Sequence, residues 1–158
     1  MGAAVTTIRE MGTGDLDQVV ALESDQQPRP WSRQVFEDEL AADNRIYLVA
    51  EDAGSVLGFA GLMVIGDEAH VTNLLVTPDK RREGLGRELM IALIASGIDA
   101  GARHLTLEVR KGNVTARALY SRLGLAPVGI RPRYYGDDDA LILWAHDIDQ
   151  PGYLGNLK

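Results

Sequence analysis

Arg81, Arg82, Gly84, Gly86 and Arg87 fall close together in the stretch KRREGLGREL at 80–89. That composition suits an anion. Guanidinium groups make charge-assisted hydrogen bonds to phosphate oxygens, and glycine lets main-chain N–H groups approach a bulky anion with no side chain in the way. A helical pattern follows, so the first N–H groups of a helix, which lack an intrahelical partner, would add partial positive charge at the same place. The same features also describe a solvated basic turn whose glycines serve geometry alone, and local residues do not separate the two. Two familiar nucleotide loops fit poorly. After Gly86 come Arg-Glu-Leu rather than the Lys-Ser/Thr of a Walker loop, and the third glycine of a dinucleotide fingerprint is replaced by Leu89.

A cradle of this kind must sit where a strand ends and a helix begins, and the surrounding pattern provides that order. VTTIRE at 5–10 alternates as a strand. GTGDLDQVVALES then places Leu16, Val19, Val20 and Leu22 at near-helical spacing behind Asp15, a candidate cap. A second helix is expected from Ser32 as N-cap to about Ala42, with Val35, Phe36 and Leu40 on one face. Three β-like runs at 46–52, 56–66 and 69–78 read as an antiparallel meander. The period then changes, with Leu85, Leu89, Leu93 and Ile94 on one face of a helix from about Gly84 to Gly101. RHLTLEV at 103–109 alternates again, setting Leu105, Leu107 and Val109 opposite Thr106 and Glu108. Asn113 as cap and Gly124 as a left-handed terminator bound a short helix, and two last strands near 126–133 and 139–147 flank the acidic turn YGDDD. The order β-α-α-β-β-β-α-β-α-β-β predicts a layered α/β (α+β) sheet domain in which an antiparallel part meets a βαβ crossover.

Composition sets outer limits. The chain of 158 residues is 46% hydrophobic and 25% charged, which suits one folded domain over 1–158, without internal repeat or linker. No cysteine is present, so disulfides, thiolate metal sites and a cysteine nucleophile are excluded. His70, His104 and His146 are too widely spaced for a local metal motif, although a fold could bring them together, and no metal is expected. A net charge of −7 weighs against direct binding to nucleic acid. VLGFAGLMVIG at 56–66 is too short and glycine-interrupted to span a membrane, and the N-terminus lacks the basic and apolar blocks of a secretory signal. The expectation is a cytoplasmic protein, monomeric or weakly dimeric, with no membrane partner.

Four blocks, in order, then carry a resemblance. NLLVTPDKRREGLGRELM resembles the acetyl-CoA pyrophosphate motif [RQ]-x-x-G-x-[GA] of the GNAT N-acetyltransferases, filled by Arg81, Gly84 and Gly86. PWSRQVF at 30–36, LEVRKGNVTARALYSRLGL at 107–125 and RPRYYGDDDALIL at 131–143 are similar, in order and spacing, to the ribosomal-protein-alanine (RimI) branch of that family. The likeness covers about residues 5–147. It implies a GNAT-type acyl-CoA N-acyltransferase fold, a mixed and mostly antiparallel sheet of six or seven strands with about four helices on its faces. It also implies acetyl-CoA as cosubstrate, no metal, and a peptide or protein N-terminus as acceptor, in that branch the N-terminal alanine of a ribosomal protein.

Residue by residue, the resemblance assigns the main chain of Leu74, Leu75 and Val76 to the pantetheine arm, and Arg81, Arg82, Glu83, Gly84, Leu85, Gly86 and Arg87 to the pyrophosphate. Glu108 matches the proton acceptor and Tyr120 the proton donor to the CoA thiolate. Asn113 matches an asparagine bonding the pantetheine arm, and Trp31, Tyr134 and Tyr135 lie in segments flanking the peptide groove. Each has a plainer reading beside it. Glu108 also reads as a half-exposed strand glutamate, Tyr120 as a core tyrosine with a satisfied hydroxyl, Asn113 as a helix cap, and the other aromatics as core or lid packing. Asp137, Asp138 and Asp139 could attract a basic peptide, though a charge run is usually a solvated turn. Pro132, between Arg131 and Arg133, departs from the branch pattern, and so does the tail DIDQPGYLGNLK. A family member acting on a small amine or a lysine side chain, or an acyl-CoA-binding module without catalysis, are the alternatives.

Overall fold

The computed structural model describes residues 6–81 and 83–157. Seven strands and five α-helices are found among them: β1 (Thr7–Glu10), α1 (Leu16–Gln26), α2 (Arg33–Ala41), β2 (Arg45–Asp52), β3 (Ser55–Ile65), β4 (Glu68–Val76), α3 (Leu85–Asp99), β5 (His104–Arg110), α4 (Val114–Arg122), β6 (Ala126–Arg131), β7 (Ala140–His146) and α5 (Tyr153–Leu157). The hydrogen-bonded strand order is β1-β2-β3-β4-β5-β7-β6. The β1–β2, β2–β3, β5–β7 and β6–β7 pairs are antiparallel and β4–β5 is parallel. The sheet therefore has the expected mixed, mostly antiparallel character, with α3 as the crossover between its two parallel strands.

By internal contacts the chain divides into two compact units, residues 1–63 with 72–93, and residues 64–71 with 94–158. The first has its own core: Met11, Leu16, Val19, Phe36, Tyr47, Val49, Val56, Phe59 and Leu75, with Trp31 and Leu40 packed at its margin. Phe36 stands edge-on to Phe59 with ring centroids 5.7 Å apart. Ser32 caps α2 as expected, its Oγ accepting from the Val35 N–H at 3.3 Å. Val35 is a correction. It is exposed while Phe36 is fully buried, because Phe36 and Leu40, four apart, define the inward stripe and Val35 lies about 100° off it. Asp15 is a second correction. A 3-10 turn at Thr13–Asp15 precedes α1, and the carboxylate turns back to accept from the Gly12 N–H at 2.8 Å and from Arg9 at 2.8 and 2.9 Å, so it caps nothing in α1. The Arg9 guanidinium holds the Asp15 carboxyl below the usual carboxylate range against the opposing pull of burial.

The second unit buries Leu105, Leu107 and Val109 on one face of β5, as the alternation predicts, together with Leu123, Leu125, Leu141 and Leu143. Thr106 departs from the pattern. It is buried too, and its hydroxyl donates to the Leu143 carbonyl at 2.8 Å, which removes the cost of hiding it. The tail forms an element absent from the sequence reading: Ile148 and Leu157 are buried, and Tyr153 at the start of α5 donates its hydroxyl to the Leu123 carbonyl at 2.6 Å. No helix among the described residues is long and apolar enough to cross a membrane.

Candidate active site

The proposed anion loop belongs to the first unit. β4 ends at Val76, a 3-10 turn covers Pro78–Lys80, and α3 starts at Leu85, anchored by buried Leu85 and Leu89. Gly84 has φ +81°, a backbone conformation that costs an L side chain roughly 1–2 kcal/mol, and space for a Cβ is otherwise open there. Glycine is thus needed for the turn. The first intrahelical bond runs from the Glu88 N–H to the Gly84 carbonyl at 3.0 Å, so the N–H groups of Leu85, Gly86 and Arg87 precede any i−4 partner. Glu83 and Arg81 are exposed, Gly86 and Arg87 partly buried, and Arg82 lies outside the described residues. A second feature concerns buried polar atoms. The Arg81 guanidinium donates to Gln26 Oε1 of α1, while Gln26 Nε2 and the Thr77 hydroxyl are buried without a partner among the described residues. Both belong to residues at this loop, and unpartnered buried donors fit an oxygen-rich ligand.

Leu74, Leu75 and Val76 lie at the end of β4, with Leu75 buried and its neighbours partly so. The β4–β5 ladder pairs Glu68, Ala69 and His70 with His104, Leu105 and Thr106 and ends there, although β4 runs on to Val76. A strand edge outside a ladder offers its N–H and C=O groups to another extended chain, which is what a pantetheine arm requires. The strand is held from below by two close approaches. A Cβ at Gly58 would stand 2.7 Å from the Leu75 carbonyl, so only glycine permits that packing. The Tyr47 ring covers Gly61, and its hydroxyl donates to Glu39 Oε1 at 2.8 Å and stands 3.2 Å from both Thr72 Oγ1 and Asn73 Oδ1. Consecutive strand residues normally point to opposite faces, so one hydroxyl meeting both marks a local break in the pleat just before Leu74. Trp31 is in this unit as well, its ring centroid 5.4 Å from that of Phe36 and its main-chain N–H donating to Glu23 Oε2 at 2.9 Å. Burial raises the pKa of Glu23, partly opposed by that bond.

In the second unit, Glu108 sits on β5 between Thr106 and Arg110, its side chain 28% exposed and its Oε1 3.3 Å from the Arg131 guanidinium at the end of β6. Around it stands an aromatic and cationic group. Arg110 lies over the Tyr135 ring at 4.4 Å, Arg131 over the Tyr134 ring at 5.6 Å, and the two tyrosine rings are edge to face at 5.1 Å. Burial raises the pKa of Tyr135, with the Glu108 charge adding to it. Tyr120, on the inward face of α4 with fully buried Leu123, has its phenol pushed up to about 12 by burial, and the Tyr135 charge acts in the same direction. It is a neutral O–H acid at any physiological pH. The expectation of a core position holds. Asn113 does cap α4, Oδ1 accepting from the Ala116 N–H at 3.2 Å. The acidic run is structural: Asp138 accepts from the Gly112 and Asp139 N–H groups, Asp139 from Arg133, and Asp137 pairs with Arg110 at 2.8 Å.

The expected set is divided by unit: the loop, Leu74 to Val76 and Trp31 lie in one, and Glu108, Tyr120, Asn113, Tyr134 and Tyr135 in the other. Four neighbours were not anticipated. Arg110 had a local signal, two residues from Glu108 on the same face of an alternating strand. Arg131, Gln26 and Thr77 had none, since their partners are distant in sequence or, among the described residues, absent.

The description of the acetyltransferase (GNAT) family matches residues 16–125, more than half of the chain. The chain belongs to the GNAT acetyltransferase family. This GNAT chain is 36% identical over 140 residues to a Bacillus subtilis relative, covering 87% of this chain and 93% of the other. With the ribosomal protein bS18-alanine N-acetyltransferase of Escherichia coli it shares 35% over 143 residues, 88% of this chain and 96% of that one. The crystal structure of the Escherichia coli ribosomal-protein-S18-alanine N-acetyltransferase superposes with a TM-score of 0.83 at 34% identity, over 90% of this chain and 94% of that one. The GNAT fold, the RimI-type resemblance and an N-acetyltransferase activity are established by these matches.

Proposed function

We propose that the chain transfers acetyl from acetyl-CoA to the α-amine of a peptide N-terminus, with the N-terminal alanine of a small-subunit ribosomal protein as its acceptor, in the cytoplasm. The observation that carries this reading is the near full-length likeness, in sequence and fold, to enzymes named for that reaction. The donor brings an activated thioester; the loop at Arg81 to Arg87 holds its pyrophosphate and the main chain of Leu74 to Val76 its pantetheine. Gln26 Nε2 and Thr77 Oγ1, without a partner among the described residues, support that fit.

Glu108 takes a proton from the acceptor ammonium, directly or through water. A peptide α-amine has a pKa of roughly 7.7–8.0, so this step is undemanding near neutrality. The freed amine attacks the thioester carbonyl, the carbon–sulfur bond breaks, and Tyr120 gives its phenolic proton to the thiolate; the second proton, lost by the nitrogen as it becomes an amide, restores Tyr120 through solvent, and Glu108 releases the first, so one proton leaves overall. Its raised pKa keeps Tyr120 in the donating form. Trp31, Tyr134 and Tyr135 line the acceptor's path, and Asn113 adds a bond to the pantetheine arm beyond its capping role.

Thiol release from acetyl-CoA tests the reading against short peptides beginning Ala-Arg, Ser or Met, alongside lysine and polyamines. Ala-initiated peptides are expected to turn over fastest. Preference for a polyamine or lysine would replace it with the small-amine alternative, and acceptor-independent release would defeat it.

A further inference from the structure

The three histidines, far apart in sequence, form a chain of ring contacts through Trp144. His70 meets Trp144 edge to face at 6.3 Å, Trp144 stacks on His146 at 5.5 Å and 11°, and His146 meets His104 at 5.0 Å. His104 and His146 are direct cross-strand partners in the β5–β7 ladder, and their Nδ1 atoms stand 3.1 Å apart. We propose that this pair is a chelating site for a divalent transition cation of the Cu²⁺, Ni²⁺ and Zn²⁺ class.

Two imidazole nitrogens at that separation either share one proton or each donate to one metal. With metal–nitrogen bonds of about 2.0–2.1 Å, the measured spacing sets roughly 100° between them, intermediate between tetragonal and tetrahedral sites. Both ligands stand on paired strands, so little conformational freedom is lost on binding. His146 is exposed and His104 partly so, which leaves a route in from solvent. Asp67 Oδ2 lies 3.6 Å from His104 Nε2, on the far side of the ring, longer than a hydrogen bond but close enough to add negative charge that favours a cation. Glu68, paired in register with His104, adds negative charge beside it. Among the described residues no three His, Asp or Glu groups are arranged to hold an ion, so water completes the coordination and binding is reversible. Imidazole ligation selects against Mg²⁺ and Ca²⁺, which take oxygen donors.

The test uses the full chain without a histidine tag, stripped of metal and titrated with CuCl₂, NiCl₂, ZnCl₂ or MgCl₂ by calorimetry and tryptophan fluorescence. One equivalent of each transition cation is expected to bind and none of Mg²⁺. Cu²⁺ is expected to quench the emission of Trp144 through the stacked His146 ring, and Trp144→Phe to lose that quench while keeping the stoichiometry. His104→Asn and His146→Asn should each weaken binding at least about tenfold, with metal-free acetyl transfer unchanged as the check on folding. In the unaltered chain, substoichiometric Cu²⁺ should broaden the NMR signals of His104 and His146 before all others. Wild-type affinity in a variant carrying both His104→Asn and His146→Asn, first broadening elsewhere, or no saturable binding below millimolar metal would each overturn the proposal.

Discussion

The two units solve different problems with different parts of the chain. In residues 72–93 the candidate donor site is mostly main chain: a strand edge beyond its ladder, a left-handed Gly84 and the first N–H groups of α3. In residues 94–158 the candidate chemistry rests on side chains, Glu108 beside Arg131 and Tyr120, whose phenol burial keeps protonated. The contrast teaches where each is vulnerable. Main-chain sites tolerate side-chain change and fail on backbone change, whereas a proton acceptor or donor fails on the loss of one atom.

Glu108→Gln gives the sharpest break. It is expected to lower kcat about 10²- to 10⁴-fold, the usual scale for a general base, with the KM for acetyl-CoA unchanged in the thiol-release assay. Equal loss in both would mean the two halves are not separable. Tyr120→Phe keeps the buried ring and should lower kcat by about 10²-fold, at the lower end for a general acid; full activity would leave Tyr120 with packing alone. Gly84→Val tests the other side. Its φ of +81° disfavours a β-branched residue, so donor KM should rise about tenfold while kcat holds, and a kcat effect alone would contradict the assignment.

Alkaline pH offers a smaller effect. Tyr120 has a folded-state pKa raised to about 12 from the model-peptide value near 10, so its contribution to stability is fully present below pH 10 and lost as pH rises toward 12. Wild-type Tm should fall across that window, and Tyr120→Phe should flatten the fall. Smallest is Asn113→Ala, expected to cost about 1 kcal/mol through the lost α4 cap, seen as a lowered Tm with catalysis nearly intact. A large rise in donor KM would instead show Asn113 holding the pantetheine arm.

What could be read from residues alone is what physical chemistry decides within a few positions. The Ser32 and Asn113 caps close bonds three residues on, Gly124 takes φ +88° after α4, and Leu105, Leu107 and Val109 share a face because a strand repeats every two residues. The glycine-rich turn and its helix were visible for the same reason. Asp15 was misjudged because Arg9 on the neighbouring strand, and not the following turn, captures its carboxylate. The C-terminal helix escaped notice because five residues carry little periodicity and its order comes from packing of Ile148, Tyr153 and Leu157.

Tertiary structure alone decided that Arg131 meets Glu108, that Gln26 meets Arg81, and that His104 faces His146 across two strands 42 residues apart. Such pairings depend on strand register and loop closure, which act over the whole chain. A sequence determines them only through the fold, because no local energy term distinguishes one distant partner from another.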